Sequence, residues 1–279
     1  MTLREVYNNS KKLLKNPDVD EINIRIILCE INHIKNMTEF YLSLDQEIED
    51  LQRFQSIFAR FLDGEPLQYI LGKTLFFGSE FKVDKRVLIP RQETEEVVQY
   101  ILNKKAQIFG HEKVDLIDVC CGSGCMGISV AKNCEISSLF LSDISKDSID
   151  VTKDNLKLNN VVGKCYVSDG LDAIISDKIH VDILVSNPPY ILNKNEVEKS
   201  TIKYEPELAL FADENLSVYR KIISKLNLIK KEKLLAVFEI GYDLKDKLEA
   251  IVREYLPESK YEFVKDINGK ERILSILVL

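Results

Sequence analysis

Four consecutive residues, Asn187, Pro188, Pro189 and Tyr190, follow directly on the apolar run Val181-Asp182-Ile183-Leu184-Val185-Ser186. A carboxamide, two rigid rings and an aromatic therefore stand where a buried strand is expected to end. The prolines carry no backbone N–H and fix φ, which stiffens the turn and leaves the carbonyls of Asn187 and Pro188 free to accept hydrogen bonds from a substrate. The Asn187 side-chain oxygen is a further acceptor, and the Tyr190 ring offers a flat face. Together they fit a planar NH2 group. Asn-Pro alone reads as a strand-terminating turn, whereas the full tetrapeptide after a strand, with a cofactor loop upstream, points to chemistry.

That loop is Asp118-Val119-Cys120-Cys121-Gly122-Ser123-Gly124, a turn of small residues whose glycines let backbone approach a ligand closely. Asp143, at the expected end of the next strand, can accept both hydroxyls of a ribose. A dinucleotide fold would bring a pyrophosphate to such a turn, but Asp118 and Asp143 bracket it with negative charge, which suits a cationic ligand better. S-adenosylmethionine has a sulfonium, an ammonium and a ribose and no phosphate, so it matches. Asp169, at the exit of the following strand, has two readings: acceptor for an adenine amino group, or helix N-cap. These residues should converge outside the strand C-termini, where strand order switches.

The elements that position them follow from periodicity. To about Phe61 the pattern is helical, with Val6, Leu13, Leu14, Ile22, Ile26, Ile27 and Ile31 recurring at three- and four-residue spacing. Gly64-Glu65-Pro66 punctuates the chain, and Leu75-Phe76-Phe77 and Phe81-Lys82-Val83 flank Gly78-Ser79 as a hairpin. A helix after Arg91 then leads into alternating β and α signals, the mark of a parallel sheet covered on both faces. Its strands are read at Val114 to Val119, Ser138 to Leu141, Lys164 to Val167, Val181 to Val185 and Leu234 to Phe238. Tyr261 to Val264 and Arg272 to Leu279, separated by Asn268-Gly269, form an antiparallel edge hairpin. The cluster Lys230-Lys231-Glu232-Lys233 reads as the C-terminal cap of a helix before the fifth strand.

Composition bounds the rest. The 279 residues are 45% apolar and 30% charged, an ordinary globular balance, and no stretch approaches the apolar length that spans a bilayer. Met1-Thr2-Leu3-Arg4-Glu5 lacks a basic segment followed by an apolar run, so no export signal is expected and the expected location is cytoplasmic. Six cysteines are then expected as reduced thiols, without the paired spacing of a metal site. A net charge of −7 disfavours an extended nucleic-acid surface. His33, His111 and His180 lie outside the motifs.

The residues resemble the protein-(glutamine-N5) methyltransferases of the HemK/PrmC type, which modify class-1 peptide-chain release factors. The resemblance covers nearly the whole chain. It is carried by Gly64-Glu65-Pro66-Leu67-Gln68-Tyr69-Ile70-Leu71-Gly72, by Leu88-Ile89-Pro90-Arg91-Gln92-Glu93-Thr94-Glu95, by Ser186 to Tyr190, by Tyr204-Glu205-Pro206 with Ala209-Leu210, by Glu239-Ile240-Gly241 and by Gly269-Lys270-Glu271-Arg272. It implies an α/β fold: a class I, seven-stranded methyltransferase with a small helical N-terminal domain. The corresponding boundaries are 1–73 for the helical substrate-recognition domain, 74–90 for a connecting hairpin and 91–279 for the methyltransferase domain. It implies S-adenosylmethionine as cofactor, held by Asp118, Cys120 to Gly124, Asp143, Asp169, Gly170 and Asn187. The implied substrate is the Gln of a Gly-Gly-Gln loop, met by Asn187 to Tyr190 with Arg91 and Glu205. Two departures stand out. Cys120 replaces the first family glycine, with a second cysteine beside it, so a φ > 0 there would be strained. Gly170 stands where the family has an aromatic beside the adenine.

A carboxamide nitrogen is a poor nucleophile, since full loss of amide conjugation costs about 18–20 kcal/mol. The expected mechanism has the Asn187 oxygen and the Pro188 carbonyl accepting the two N–H bonds of the substrate amide, with no general base. Two readings from other classes remain open at this stage: an adenine-N6 methyltransferase acting on a flipped base, and a noncatalytic module that binds S-adenosylmethionine.

Overall fold

The computed structural model describes residues 1–14 and 17–279. The chain divides into two compact units, Met1–Leu71 and Gly72–Leu279.

The first unit holds α1 (Leu3–Lys11), α2 (Pro17–Ile31), α3 (Met37–Leu42), α4 (Leu51–Leu62) and α5 (Leu67–Leu71). Thr2 starts α1 through a reciprocal cap: its hydroxyl accepts the Glu5 N–H at 3.2 Å, and the Glu5 carboxylate accepts the Thr2 N–H at 2.9 Å. Leu3, Val6, Ile27, Phe40, Phe54 and Phe58 share one apolar core. On α2 the buried stripe is Ile24, Ile27, Leu28 and Ile31, at the i, i+3, i+4, i+7 spacing of one helix face. Leu13, Ile22 and Ile26, read from the sequence as part of that pattern, are exposed. The helix carries more isoleucine than one face can bury, so counting apolar residues overstates the core.

The second unit begins with an antiparallel hairpin, β1 (Lys73–Phe76) and β2 (Ser79–Lys82). Phe76 and Phe81 on it pack in the same apolar cluster as Val97 and Ile101. The central sheet comprises β3 (Val114–Val119), β4 (Ile136–Asp143), β5 (Lys164–Val167), β6 (Val181–Ser186), β7 (Lys230–Glu239), β8 (Lys260–Lys265) and β9 (Glu271–Val278), in the spatial order β5-β4-β3-β6-β7-β9-β8. The first five of that order run parallel, and β9 is antiparallel to both its neighbours. Among the described residues this is the seven-stranded sheet of a class I methyltransferase.

Helices cover both faces: α6 (Gln92–Phe109), α7 (Cys125–Asn133), α8 (Lys146–Leu158), α9 (Asp172–Ser176), α10 (Lys199–Tyr204), α11 (Glu207–Leu210), α12 (Ser217–Ile223), α13 (Leu226–Ile229) and α14 (Lys245–Tyr255). The two-residue period of β7 explains how both faces are filled. Leu234, Ala236 and Phe238 join the cluster of α9, α12 and α14, while Leu235 and Val237 join that of α6, α7 and α8. Among the described residues no helix is long and apolar enough to cross a membrane.

The lysine cluster read as a helix cap does begin at one, since Lys230 is the C-cap residue of α13, and from that residue it runs on as the start of β7. Lys231 lies 2.7 Å from both Asp115 and Asp182, and Lys233 donates to the Ile108 carbonyl at 2.9 Å. Through Lys233 the cluster also caps a second helix C-terminus, that of α6, which is remote in sequence. From β3 the chain proceeds outward to β4 and β5 and then returns to β6 on the other side of β3, leaving a crevice where Val119 pairs with Ser186.

Candidate active site

At the end of β3, Asp118 is fully buried and accepts the Gly127 N–H of α7 at 2.8 Å. A Cβ on Gly127 would come within 2.9 Å of the Asp118 Cβ, so only glycine lets helix and strand approach this closely. Burial raises the Asp118 pKa to about 7; the Gly127 N–H opposes the rise and the neighbouring Asp143 charge adds to it. A carboxylate this costly to ionise gains most from a cation brought beside it.

The chain then turns through Cys120 at φ 59°, Gly122 at φ 53° and Gly124 at φ 78°. The left-handed conformation anticipated at Cys120 is present, at a cost of about 1–2 kcal/mol for a residue with a Cβ. Side chains of α8 hold the loop. Thr152 Oγ1 donates to the Gly122 carbonyl at 2.7 Å, and Asn155 Nδ2 donates to the Ser123 carbonyl at 2.9 Å. Asn155 also accepts the Lys82 N–H at 2.7 Å and donates to the Lys82 carbonyl at 3.0 Å, tying the loop to β2. The sequence reading missed Thr152 and Asn155. Their signal was available: Ser148, Thr152 and Asn155 are polar at i, i+4 and i+7 on the inner face of a helix, and buried polar groups there need partners.

Asp143 closes β4. One oxygen accepts the Gly122 N–H and the other the Ser145 N–H, both at 2.9 Å. Burial raises its pKa, and the two N–H bonds oppose the rise. Asp169 and Gly170 follow β5, with Gly170 at φ 63°. Asp169 is ion-paired with Lys221 at 2.5 Å and does not cap α9. Ser168 takes the capping role, its hydroxyl accepting the Ala173 N–H at 3.0 Å, which removes the N-cap reading of Asp169.

These groups line one cleft that opens to solvent. Asp118, Cys120 to Ser123, Asp143, Asp169 and Gly170 border it, and so do Asn187 and Pro189. Among the described residues nothing hydrogen-bonds the Asn187 carboxamide, which stands half-buried at the cleft wall. Pro188 is buried, and Tyr190 lies behind the wall, its hydroxyl 3.4 Å from Glu239.

Arg91 lines the cleft and is paired with Glu205 at 2.5 Å. Glu205, expected as a substrate contact, sits behind the wall, where it also accepts the Ile89 N–H at 3.1 Å. It fastens the segment Leu88 to Arg91 to the segment that begins at Tyr204, two motifs over a hundred residues apart in sequence. Arg86, Thr94 and Ile144 border the cleft without having been singled out from the sequence.

The family described as PrmC N-terminal domain matches residues 5–72, and Methyltransferase small domain matches residues 99–205. The release factor glutamine methyltransferase of Streptococcus pneumoniae is 33% identical over 99% of this chain and 98% of its own length. The chain belongs to the release factor glutamine methyltransferase family. A second member, from Bacillus subtilis, is 35% identical over 82% of this chain and 81% of its own length. Among solved structures, a ribosomal protein L11 methylase from Lactobacillus delbrueckii subsp. bulgaricus is similar in fold, with 18% identity and a TM-score of 0.50 over 67% of this chain and 79% of that one.

Proposed function

We propose that the protein methylates the side-chain amide nitrogen of the glutamine in the Gly-Gly-Gln loop of a class-1 release factor, using S-adenosylmethionine. The observation that carries this reading is the unpartnered Asn187 carboxamide on the wall of a cleft whose other wall holds Asp118, Asp143 and Asp169. Three carboxylates set about one turn suit a sulfonium nucleoside. When bound, S-adenosylmethionine supplies an electrophilic methyl carbon. Asp118 would hold the ammonium group, Asp143 the ribose hydroxyls and Asp169 the adenine amine, with Cys120 to Gly124 and Gly170 forming the turns around them.

The Asn187 oxygen and the Pro188 carbonyl accept the two N–H bonds of the substrate amide and turn its nitrogen toward the reacting carbon. Pro189 and Tyr190 keep that corner rigid. As positive charge grows on nitrogen, both acceptors bind more strongly, toward the roughly 1.5–3 kcal/mol that a charge-assisted bond is worth in all. Alignment of the reacting atoms supplies further rate. The methylated amide cation loses its proton to water, so no side-chain base is assigned. Arg91, fixed by Glu205, orients the substrate loop. A release factor as substrate places the protein's work in the cytoplasm, and the acidic balance of the chain argues against a nucleic-acid substrate.

Methyl transfer from labelled S-adenosylmethionine tests the assignment. Label is expected on purified release factor, abolished when the loop glutamine is replaced, and absent from oligonucleotides. Label on adenine bases with none on the factor would select the adenine-N6 reading instead.

A further inference from the structure

Glu239 is the last residue of β7, and it is wholly buried. β7 runs parallel to β6 with Phe238 opposite Ser186, so the next residues along, Glu239 and Asn187, stand side by side at the rim of the sheet. Three hydroxyls converge on Glu239. Thr94, which lines the cleft, donates to one carboxylate oxygen at 2.6 Å; the Tyr190 hydroxyl is 3.4 Å from the other; and Tyr219 donates to the backbone carbonyl at 2.8 Å.

Among the described residues no cation is ion-paired with this carboxylate. Arg272, next to it across β9, is engaged with Asp266 at 3.2 Å, and Arg91 is engaged with Glu205. Burial pushes the Glu239 pKa up, Arg272 opposes that through space, and Glu93 on α6 adds like charge. A carboxylate buried without a cation is expensive, whereas a glutamine of the same shape would accept the Thr94 hydrogen bond at lower cost. Fold stability therefore does not account for an acid here. The adjacent corner does. In the transfer a C–S bond breaks and an N–C bond forms, positive charge passes from sulfur to the amide nitrogen, and a proton then leaves that nitrogen for water. A fixed negative charge on the nitrogen's side favours that displacement of charge.

We propose that Glu239 is a positioning residue of the transfer step, which holds Thr94 and the Tyr190 ring against the corner and sets an anionic group behind the substrate nitrogen. The inference rests on the glutamine-methylation reading and adds to it a residue outside the tetrapeptide.

Steady-state methylation of a release factor by wild type, Glu239→Gln, Tyr190→Phe and the double variant tests it, with thermal unfolding and calorimetric S-adenosylmethionine binding on each. Glu239→Gln is expected to lower kcat by about ten- to a hundredfold, to leave the release-factor KM and the cofactor Kd within about twofold, and to keep or raise Tm. Tyr190→Phe is expected to lower kcat less, and the double variant no further than Glu239→Gln alone. A purely structural acid would give the opposite pattern, with Tm, cofactor affinity and kcat falling together, and that result overturns the proposal. So does a Glu239→Gln kcat within about twofold of wild type. If wild type itself leaves the factor unlabelled, the functional reading fails and the proposal with it; a labelled wild type beside an unimpaired Glu239→Gln removes Glu239 alone.

Discussion

Asn187 presents its carboxamide to the cleft without a protein partner, so removing it orphans no buried group. Asn187→Ala is expected to change stability by no more than about 0.5 kcal/mol, which urea denaturation will read. The same substitution should lower kcat by about a hundredfold or more while the cofactor Kd stays within about threefold. Asp118 calls for a different measurement. Its folded pKa is raised to about 7 by burial, against an ordinary value near 3.8. An acid with a raised folded pKa binds its proton more tightly in the native state, so its contribution to stability is lost as pH climbs from about 4 through about 7. Cofactor binding has the opposite sign, because an ammonium group needs the ionised form. The cofactor Kd is therefore expected to be about tenfold tighter at pH 8 than at pH 6, and Asp118→Asn should flatten that dependence. Asp118, Asp143 and Asn187 could be found in the sequence because each ends a strand at a spacing set by one loop. Glu205 could not be placed, because its partners, Ile89 and Arg91, lie over a hundred residues away and only the folded chain brings them within bonding distance.

Among the elements, α8 has a role its periodicity does not announce. Asn155 bonds Ser123 in the cofactor loop and both backbone groups of Lys82 on β2, three hydrogen bonds from one buried side chain. Asn155→Ala leaves the buried Ser123 carbonyl and the part-buried Lys82 backbone without their partner, and a loss of about 2–4 kcal/mol is expected in chemical denaturation. The cofactor Kd should weaken with it, since the loop carbonyls lose their anchor. Strand positions were read well where burial on both faces makes a continuous apolar run, as in Val114 to Val119 and Val181 to Val185. The start of β7 escaped because Lys230 ends α13 and opens the strand at once; Lys231 serves Asp115 and Asp182 on neighbouring strands, a requirement that is invisible until β3, β6 and β7 are adjacent. Isoleucines on both sides of α2 likewise blurred the line between core and surface.

For the whole molecule, fold class followed from the alternation of strand and helix signals, and from the resemblance that the residues carried. Spatial strand order did not follow from periodicity, because nothing in an apolar run says which neighbour it will choose. The placement of β9 illustrates this. The pair β8 and β9 reads as a simple edge hairpin, yet β9 is inserted between β7 and β8, and only β8 forms the edge. Ser275 on β9 faces Val237 on one side and Glu262 on the other, so Ser275→Pro strips a ladder bond from an interior strand. A loss of about 3 kcal/mol or more is expected, read as poor soluble yield and a lowered urea midpoint.

That insertion also sets a timetable. Glu239 lies opposite Ile273, so the floor beneath the tetrapeptide is completed only by residues made some thirty positions later. Until β9 has been made, the nascent chain holds β3 to β7 with an unpaired β7 flank, and the rim beside Asn187 is left without its outer support.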